Sequence, residues 1–250
     1  MFNDVINPIF IIGAQRAGTS FLFRELSLHE DICPSFHKEL NYFSYNFDPN
    51  PDKYFDFYSF QSNTSAFLDA SPSYLFSRYA PKLIKQFFKK PLIIILLRDP
   101  VSRYVSAVDL VRETQPSYKS ITPIKLFKKE YNCYKNLLPS EFALESTEQS
   151  SITTLGVGLY YYHLKNWFSY FDKSCFFIRD FNNFFSNISN SMFSLYEFLG
   201  LSYRSPCIEK LRVGTNNYTE HYVGQNLIIE KFYKCYNKKL SSLNIDIQYD

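Results

Sequence analysis

Short apolar runs alternate with longer amphipathic stretches along this chain. The clearest run is residues 92–97, which are all Leu or Ile, and another is residues 8–12, which ends at Gly13. A short continuous apolar run bounded by turn residues is typical of a strand buried in a parallel sheet. Two further strands are predicted at residues 66–69 and 174–178.

Apolar residues recur with helical spacing between these runs. Asp99 is suited to cap a helix and Pro100 to occupy its first position, so the pair predicts a helix from residue 100 to about 111. Gly200 is typical of the residue that follows a helix end. The other helices are predicted at residues 19–28, 81–90, 158–171, 186–199 and 220–240. Strands alternating with helices predict an α/β, P-loop-like three-layer fold with a central, mostly parallel sheet flanked by helices.

Composition narrows the class of protein. The 250 residues contain no linker-like segment, so one domain spanning 1–250 is expected. The net charge of +3 is too small to favour nucleic acid as a partner. The longest aliphatic run is far shorter than a membrane span, the amino terminus does not resemble a signal peptide, and the cysteines are scattered. We therefore expect a cytoplasmic protein without a membrane partner; the oligomeric state stays open.

A glycine-containing loop follows the first predicted strand. It reads Gly13-Ala-Gln-Arg-Ala-Gly-Thr-Ser20, and Thr19 or Ser20 could cap the helix after it. Backbone N–H groups of such a loop, with the helix amino terminus, form an anion site. A nucleotidase loop would have lysine after Gly18, where this chain has Thr19, and its cation is Arg16 instead. The loop therefore predicts phosphate binding without the usual Mg-nucleotide arrangement.

A second candidate anion site begins where the strand at 92–97 ends. Arg98 lies at the ligand edge of an open α/β sheet and can bind phosphate through paired hydrogen bonds. Ser106 lies on the following helix and can donate its hydroxyl. The alternative makes Arg98 an ion-pair partner of Asp99 and Ser106 a surface residue. Arg103 is expected to pack beside the site rather than to bind the ligand.

Together the two segments resemble the donor-binding motifs of sulfotransferases that use 3′-phosphoadenosine 5′-phosphosulfate (PAPS), in the branch of the heparan sulfate enzymes and many bacterial relatives. The family usually has lysine at the position of Arg16. The resemblance implies that one loop holds the 5′-phosphosulfate and that a strand end and a late basic loop hold the 3′-phosphate. The implied residues are Arg16, Ala17, Gly18, Thr19 and Ser20 for the first group, and Arg98, Ser106, Arg212, Gly214 and Thr215 for the second.

The same resemblance implies a catalytic base in residues 37–43. Glu39 matches the family's carboxylate, which would accept the proton of the acceptor, and Arg16 would offset charge on the leaving phosphate. Aromatic neighbours Phe36, Tyr42 and Phe43 are expected to bury Glu39. His37 is the rival base, and a solvated Glu39 beside Lys38 is the alternative without function.

The implied enzyme transfers a sulfuryl group from PAPS to a hydroxyl, N-hydroxyl or amine of a small molecule, such as a specialised metabolite, and releases 3′-phosphoadenosine 5′-phosphate (PAP). Residues 69–74 resemble the E-K-[ST]-P-x-Y motif of the heparan-type enzymes, whose lysine approaches the sulfate and the acceptor. This chain has Ala70 at that position, which argues against simply assigning a heparan-like substrate. No His, Cys or Asp cluster has metal-site spacing, so no metal is expected. A P-loop kinase of a small metabolite and a non-catalytic nucleotide-binding module are the alternatives.

Overall fold

A computed structural model describes residues 6–145, 154–207, 227–245, 247 and 249. Within these residues, five strands pair in one sheet and run parallel throughout. They are β1 (Asn7–Gly13), β2 (Ile32–Pro34), β3 (Ala66–Ala70), β4 (Leu92–Leu97) and β5 (Phe176–Asp180). Their order across the sheet is β2-β3-β1-β4-β5. The predicted parallel α/β architecture is confirmed.

Helices connect the strands and continue beyond them. The described helices are α1 (Thr19–Leu26), α2 (Pro51–Phe55), α3 (Ser73–Phe76), α4 (Ala80–Phe87), α5 (Pro100–Thr114), α6 (Pro123–Tyr134), α7 (Pro139–Glu145), α8 (Thr154–Val157), α9 (Tyr160–Phe168), α10 (Phe181–Ser186), α11 (Ile188–Leu199) and α12 (Leu227–Asn237). Short 3₁₀ turns lie at Pro116–Tyr118, Lys173–Cys175 and Leu240–Leu243. Of the helices that the structure describes, none has the length and apolar character needed to cross a bilayer.

The sheet is buried because helices cover it. α1 contacts β1, β2 and β3, and α10 contacts β4 and β5. Residues 93–97 of β4 are fully buried, as are residues 9–12 of β1. The continuous aliphatic run predicted this burial, since a strand covered on both faces has no solvent-facing position that would favour a polar residue.

Several predicted elements need adjustment. β2 was not predicted, because it is a three-residue edge strand that contains Pro34. The helix expected over 186–199 is α11, which begins two residues later, at Ile188, because Asn187 leaves the helical conformation and its side chain caps α11 by accepting from the backbone N–H of Asn190; Ser186 ends the preceding helix, α10. Gly200 ends α11 with a left-handed φ of 67°, as predicted. Residues 220–226 of the expected terminal helix lie outside the described residues.

Internal contacts divide the chain into two units. The sheet unit consists of the described residues within Met1–Leu75, Tyr79–Leu97 and Trp167–Arg212. The helical unit consists of those within Phe76–Arg78, Arg98–Asn166 and Val213–Asp250, and it has its own apolar core, which includes Val108, Leu126 and Leu159. Each unit is described by itself below, and the single domain expected from the sequence stays a prediction.

Candidate active site

The glycine-containing loop after β1 begins with a residue that lies close to the side chain of Leu75. A Cβ on Gly13 would lie 2.8 Å from Cδ2 of Leu75, so this position accepts only glycine without rearrangement. The next residue, Ala14, donates its backbone N–H to the carbonyl of Leu96 at 2.7 Å. This hydrogen bond ties the start of the loop to β4, beyond the register pair of Gly13 and Ile95.

The loop ends at the amino terminus of α1 without a side-chain cap. Gly18 is the N-cap, with a left-handed φ of 81°, and its carbonyl accepts from the N–H groups of Phe21 and Leu22. The expectation that Thr19 or Ser20 caps the helix is therefore wrong, because both residues already lie inside it. First-turn N–H groups have no acceptor within a helix, so they point outward as donors. Arg16 is exposed and also left-handed, with φ of 68°.

The motif after β4, which begins at Arg98, belongs to the helical unit. Asp99 caps α5 as predicted, since its Oδ1 accepts from the N–H of Ser102 at 2.7 Å. The carbonyl of Arg98 accepts a hydrogen bond from the hydroxyl of Tyr160 at 2.9 Å. Arg98 and Ser106 are both half-buried. This cap gives Asp99 a role other than the ion pair with Arg98 that formed the alternative interpretation.

Arg103 packs inside the helical unit, in agreement with the sequence expectation. It is fully buried, and its Nη2 donates to the carbonyl of Thr154. The nearby carboxylate of Glu130 accepts from the N–H of Thr154 at 2.8 Å and from the hydroxyl of Tyr104 at 3.2 Å. Burial raises the pKa of Glu130 to about 7. The same unit buries His163, whose pKa falls to about 4 because burial disfavours its charged form.

Glu39 lies at the surface of the sheet unit. Its side chain is 52% exposed and forms an ion pair with Lys38. Tyr42 and Phe43 are buried as expected, but Phe36 is 66% exposed, so the expected burial of Glu39 is wrong. Its backbone is left-handed, with φ of 67°, in an irregular segment, and an exposed carboxylate paired with Lys38 is the arrangement that the alternative without function describes. The rival base, His37, is also exposed.

Backbone hydrogen bonding places Glu39 at the edge of the sheet that carries the glycine-containing loop. The N–H of Glu39 donates to the carbonyl of Ala70, the last residue of β3, at 2.9 Å. Ala70 is the register partner of Ile11 in β1, two residues before Gly13. The structure therefore brings the loop at 14–20 and Glu39 to the carboxyl edge of the same two adjacent strands. β4, on the other side of β1, ends at this edge too.

The sequence analysis missed the importance of Asp69. This carboxylate is fully buried and accepts hydrogen bonds from Ser71 at 2.7 Å, Tyr74 at 2.8 Å and Tyr54 at 3.1 Å. Burial raises the pKa of Asp69 to about 6, and the three hydroxyls oppose that rise. The signal in the sequence was an acidic residue inside an apolar strand, which requires buried partners.

Arg212, Gly214 and Thr215, the predicted loop over the 3′-phosphate, lie outside the described residues. Their proposed contribution therefore rests on the sequence resemblance alone.

Comparison with known proteins identifies the family. The family described as "Sulfotransferase domain" matches residues 7–223, and the chain belongs to this family. Similar curated proteins include the mouse bifunctional heparan sulfate N-deacetylase/N-sulfotransferase 4, at 28% identity over 80% of this chain and 23% of that protein. The human heparan sulfate glucosamine 3-O-sulfotransferase 3B1 is 26% identical over 76% of this chain and 45% of that protein. The chain thus spans less than half the length of these relatives.

Solved structures agree on the fold. A sulfotransferase from Alicyclobacillus acidocaldarius superposes with a TM-score of 0.74, at 21% identity, and the match covers 96% of this chain and 97% of that one. A sulfotransferase domain from the curacin biosynthetic pathway has a TM-score of 0.51 at 15% identity, over 80% of this chain and 76% of that one. Both likenesses support the P-loop-like parallel architecture.

Proposed function

We propose that this chain transfers a sulfuryl group from PAPS to a hydroxyl of a small-molecule acceptor. The observation that carries the proposal is the pairing of two features at one sheet edge. One is a phosphate loop that lacks the nucleotidase lysine and leads into an uncapped helix terminus. The other is the exposed carboxylate of Glu39, a residue whose backbone N–H is hydrogen-bonded to the end of β3, the strand next to β1. Membership of the sulfotransferase family supports the reaction class.

The donor is proposed to bind through its two anionic ends. Backbone N–H groups at the start of α1, with Arg16, suit the 5′-phosphosulfate, since a helix amino terminus attracts anions. The 3′-phosphate is assigned to the motif after β4, where an arginine can bind phosphate through a bidentate, charge-assisted pair. The residues proposed for donor binding are Arg16, Ala17, Gly18, Thr19, Ser20, Arg98, Ser106, Arg212, Gly214 and Thr215.

The proposed chemistry is in-line displacement at sulfur. The acceptor oxygen bonds to sulfur while the bond between sulfur and the 5′-phosphate oxygen breaks, and PAP leaves. Glu39 takes the proton of the acceptor, which makes a weak nucleophile competent. Arg16 and the amides of α1 offset the negative charge that grows on the departing oxygen. The planar guanidinium of Arg16 can serve two phosphate oxygens at once, which a lysine ammonium does less well.

The acceptor is proposed as a specialised metabolite with a hydroxyl, N-hydroxyl or amine, handled in the cytoplasm. Ala70 supports a departure from glycan substrates, because the family's motif has a cation there and a buried alanine supplies none. The heparan sulfate enzymes among the relatives keep a glycan acceptor as the competing outcome. A P-loop kinase is disfavoured by Thr19 at the lysine position, and turnover of PAPS with any acceptor would exclude a non-catalytic module.

Turnover is the direct test. Purified protein with PAPS is incubated with 4-nitrophenol, an N-unsubstituted glucosaminide, a hydroxylamine and aliphatic alcohols, and products are identified by mass spectrometry. Formation of PAP with a product heavier by one sulfuryl group supports the proposal. Protection by Mg-ATP but not by PAP in a thermal shift, with phosphorylated product, would instead establish the kinase.

Glu39→Gln tests the base. We expect kcat to fall by roughly 10²–10⁴ while PAP affinity, measured by calorimetry, is unchanged. Glu30→Gln, which neutralises another exposed carboxylate of the sheet unit, is the matched control and should keep full activity. An undiminished kcat in the Glu39 variant would move the base to His37, and His37→Asn would then show the loss.

A further inference from the structure

The segment that carries Glu39 is held to the end of β3 by a ladder of hydrogen bonds. The N–H of Glu39 donates to the carbonyl of Ala70 at 2.9 Å. Two residues on, the N–H of Asn41 donates to Oγ of Ser71 at 3.0 Å. Two further on, the N–H of Phe43 lies 3.4 Å from the hydroxyl oxygen of Tyr74.

The conformation held by this ladder is unusual. Glu39 and Asn41 both have left-handed φ values, 67° and 52°. The side-chain amide of Asn41 donates to the carbonyl of Glu39 at 3.0 Å, and its Oδ1 accepts from Ser73 at 2.6 Å. A non-glycine residue stays in this region only where its surroundings over-determine it. The ladder is therefore what maintains the position of Glu39.

Two rungs of the ladder end on the buried carboxylate of Asp69. Oδ1 accepts the hydroxyl hydrogen of Ser71, and Oδ2 accepts that of Tyr74. An ionised carboxylate only accepts hydrogen bonds, so it commits both hydroxyl hydrogens to itself. Each hydroxyl oxygen is then left as an acceptor, directed at the N–H groups of Asn41 and Phe43. Without the carboxylate, either hydroxyl could rotate and present a hydrogen to those amides.

The burial of Asp69 costs desolvation free energy that packing does not recover. A carboxylate without an ionic partner is expensive to bury, and an apolar residue would suit a central strand better. Here burial raises the pKa of Asp69 to about 6, so the group still ionises near neutral pH. The groups facing it are the hydroxyls of Ser71, Tyr54 and Tyr74, with Tyr58 behind Tyr54.

We propose that Asp69 is a positioning residue for the catalytic base: it orients the hydroxyls of Ser71 and Tyr74 so that they hold the Asn41 and Phe43 amides and fix Glu39 at the sheet edge. The inference rests on the proposed function only in assigning Glu39 as the base.

The test compares variants that break the ladder with one that does not. Asp69→Asn removes the carboxylate that orients the two hydroxyls, and Ser71→Ala removes the hydrogen bond to the N–H of Asn41. Tyr54→Phe is the matched control. It deletes a hydrogen bond to Oδ2 of Asp69, the oxygen that also accepts from Tyr74, and the described hydrogen bonds of the Tyr54 hydroxyl do not involve residues 39–43. Each variant is made alone and with Glu39→Gln, and kcat, the KM for PAPS, and amide hydrogen exchange are measured.

We expect Asp69→Asn and Ser71→Ala to lower kcat by roughly 10–100-fold with little change in the KM for PAPS, since displacement of a base by about 1 Å is that costly. In the Glu39→Gln background the same changes should cost less than about 3-fold, because the base they position is already gone. Exchange at residues 39–43 should accelerate in both variants and not in Tyr54→Phe.

Equal losses with and without Glu39→Gln, or a loss in Tyr54→Phe that matches Asp69→Asn, would overturn the inference. Either result would show a general stability effect of the buried cluster. If Asp69→Asn does not fold, Ser71→Ala decides the question alone, since it leaves the carboxylate in place. Failure of the proposed function would be seen separately, as absence of PAPS turnover by the unaltered protein. Even in that case, unchanged amide exchange at residues 39–43 in Asp69→Asn would refute the claim that Asp69 holds this segment.

Discussion

Gly18 meets two structural demands, and comparison with Gly200 separates them. Its backbone is left-handed, with φ of 81°, and a Cβ added there would lie 2.7 Å from the ring of Phe185. Gly200 makes only the first demand, because it has φ of 67° and no atom within 4 Å of an added Cβ. Gly200→Ala is therefore a control for backbone strain alone, within the same sheet unit.

The expected magnitudes differ. A left-handed alanine costs about 1–2 kcal/mol, which is the whole effect expected for Gly200→Ala. Gly18→Ala adds overpacking against an aromatic ring, typically about 1–3 kcal/mol, so its unfolding free energy should fall by about 2–5 kcal/mol in total. Moving the Phe185 ring away would disturb its packing against Phe21 and Phe181, whose ring centroids lie 5.3 and 4.8 Å from its own.

Urea denaturation of both variants, followed by circular dichroism, measures the two losses. Phe185→Ala in the Gly18→Ala background should recover the overpacking part, so the double-variant cycle should show a favourable coupling. PAP binding should weaken in Gly18→Ala and not in Gly200→Ala, since only Gly18 borders the proposed anion site. Equal destabilisation of the two glycine variants, with no coupling to Phe185, would refute the reasoning.

Two further predictions concern the helical unit. Arg98→Ala should weaken binding of PAP by roughly 10–100-fold, the value of a charge-assisted hydrogen bond, but leave adenosine 5′-monophosphate nearly unaffected; calorimetry that shows equal losses would place the 3′-phosphate elsewhere. Burial raises the pKa of Glu130 from 4.5 to about 7, so the folded state binds more protons than the unfolded state between these values and stability falls as pH rises through that window, by about 3 kcal/mol. Glu130→Gln should flatten this part of the pH–stability profile in urea titrations, and a slope identical to that of the unaltered protein would contradict the assignment.

The segment that carries Glu39 shows the limit of prediction from sequence. Glu39 was assigned from a motif, and the motif is silent on exposure. Local aromatic neighbours suggested burial, but Phe36 points to solvent and Glu39 pairs with Lys38 at the surface. The segment is held by hydrogen bonds to residues about 30 positions further along the chain, namely the carbonyl of Ala70 at the end of β3 and the hydroxyl of Ser71. Distant hydrogen bonds of this kind leave no periodic signal.

By itself, the sequence determined the elements whose cause is local. The aliphatic runs determined β1 and β4, Asp99 and Pro100 the start of α5, Gly200 the end of α11, and the loop after Gly13 the candidate anion site. The tertiary structure decided the rest: the three-residue edge strand β2, the backbone hydrogen bond that places Glu39 at the same sheet edge as the loop at 14–20, and the burial of Asp69, Arg103 and Glu130. The physical reason is range. Propensity, capping and hydrophobic period act within a few residues, whereas the burial of a polar group and the direction of its hydrogen bonds depend on partners that only the folded chain brings together.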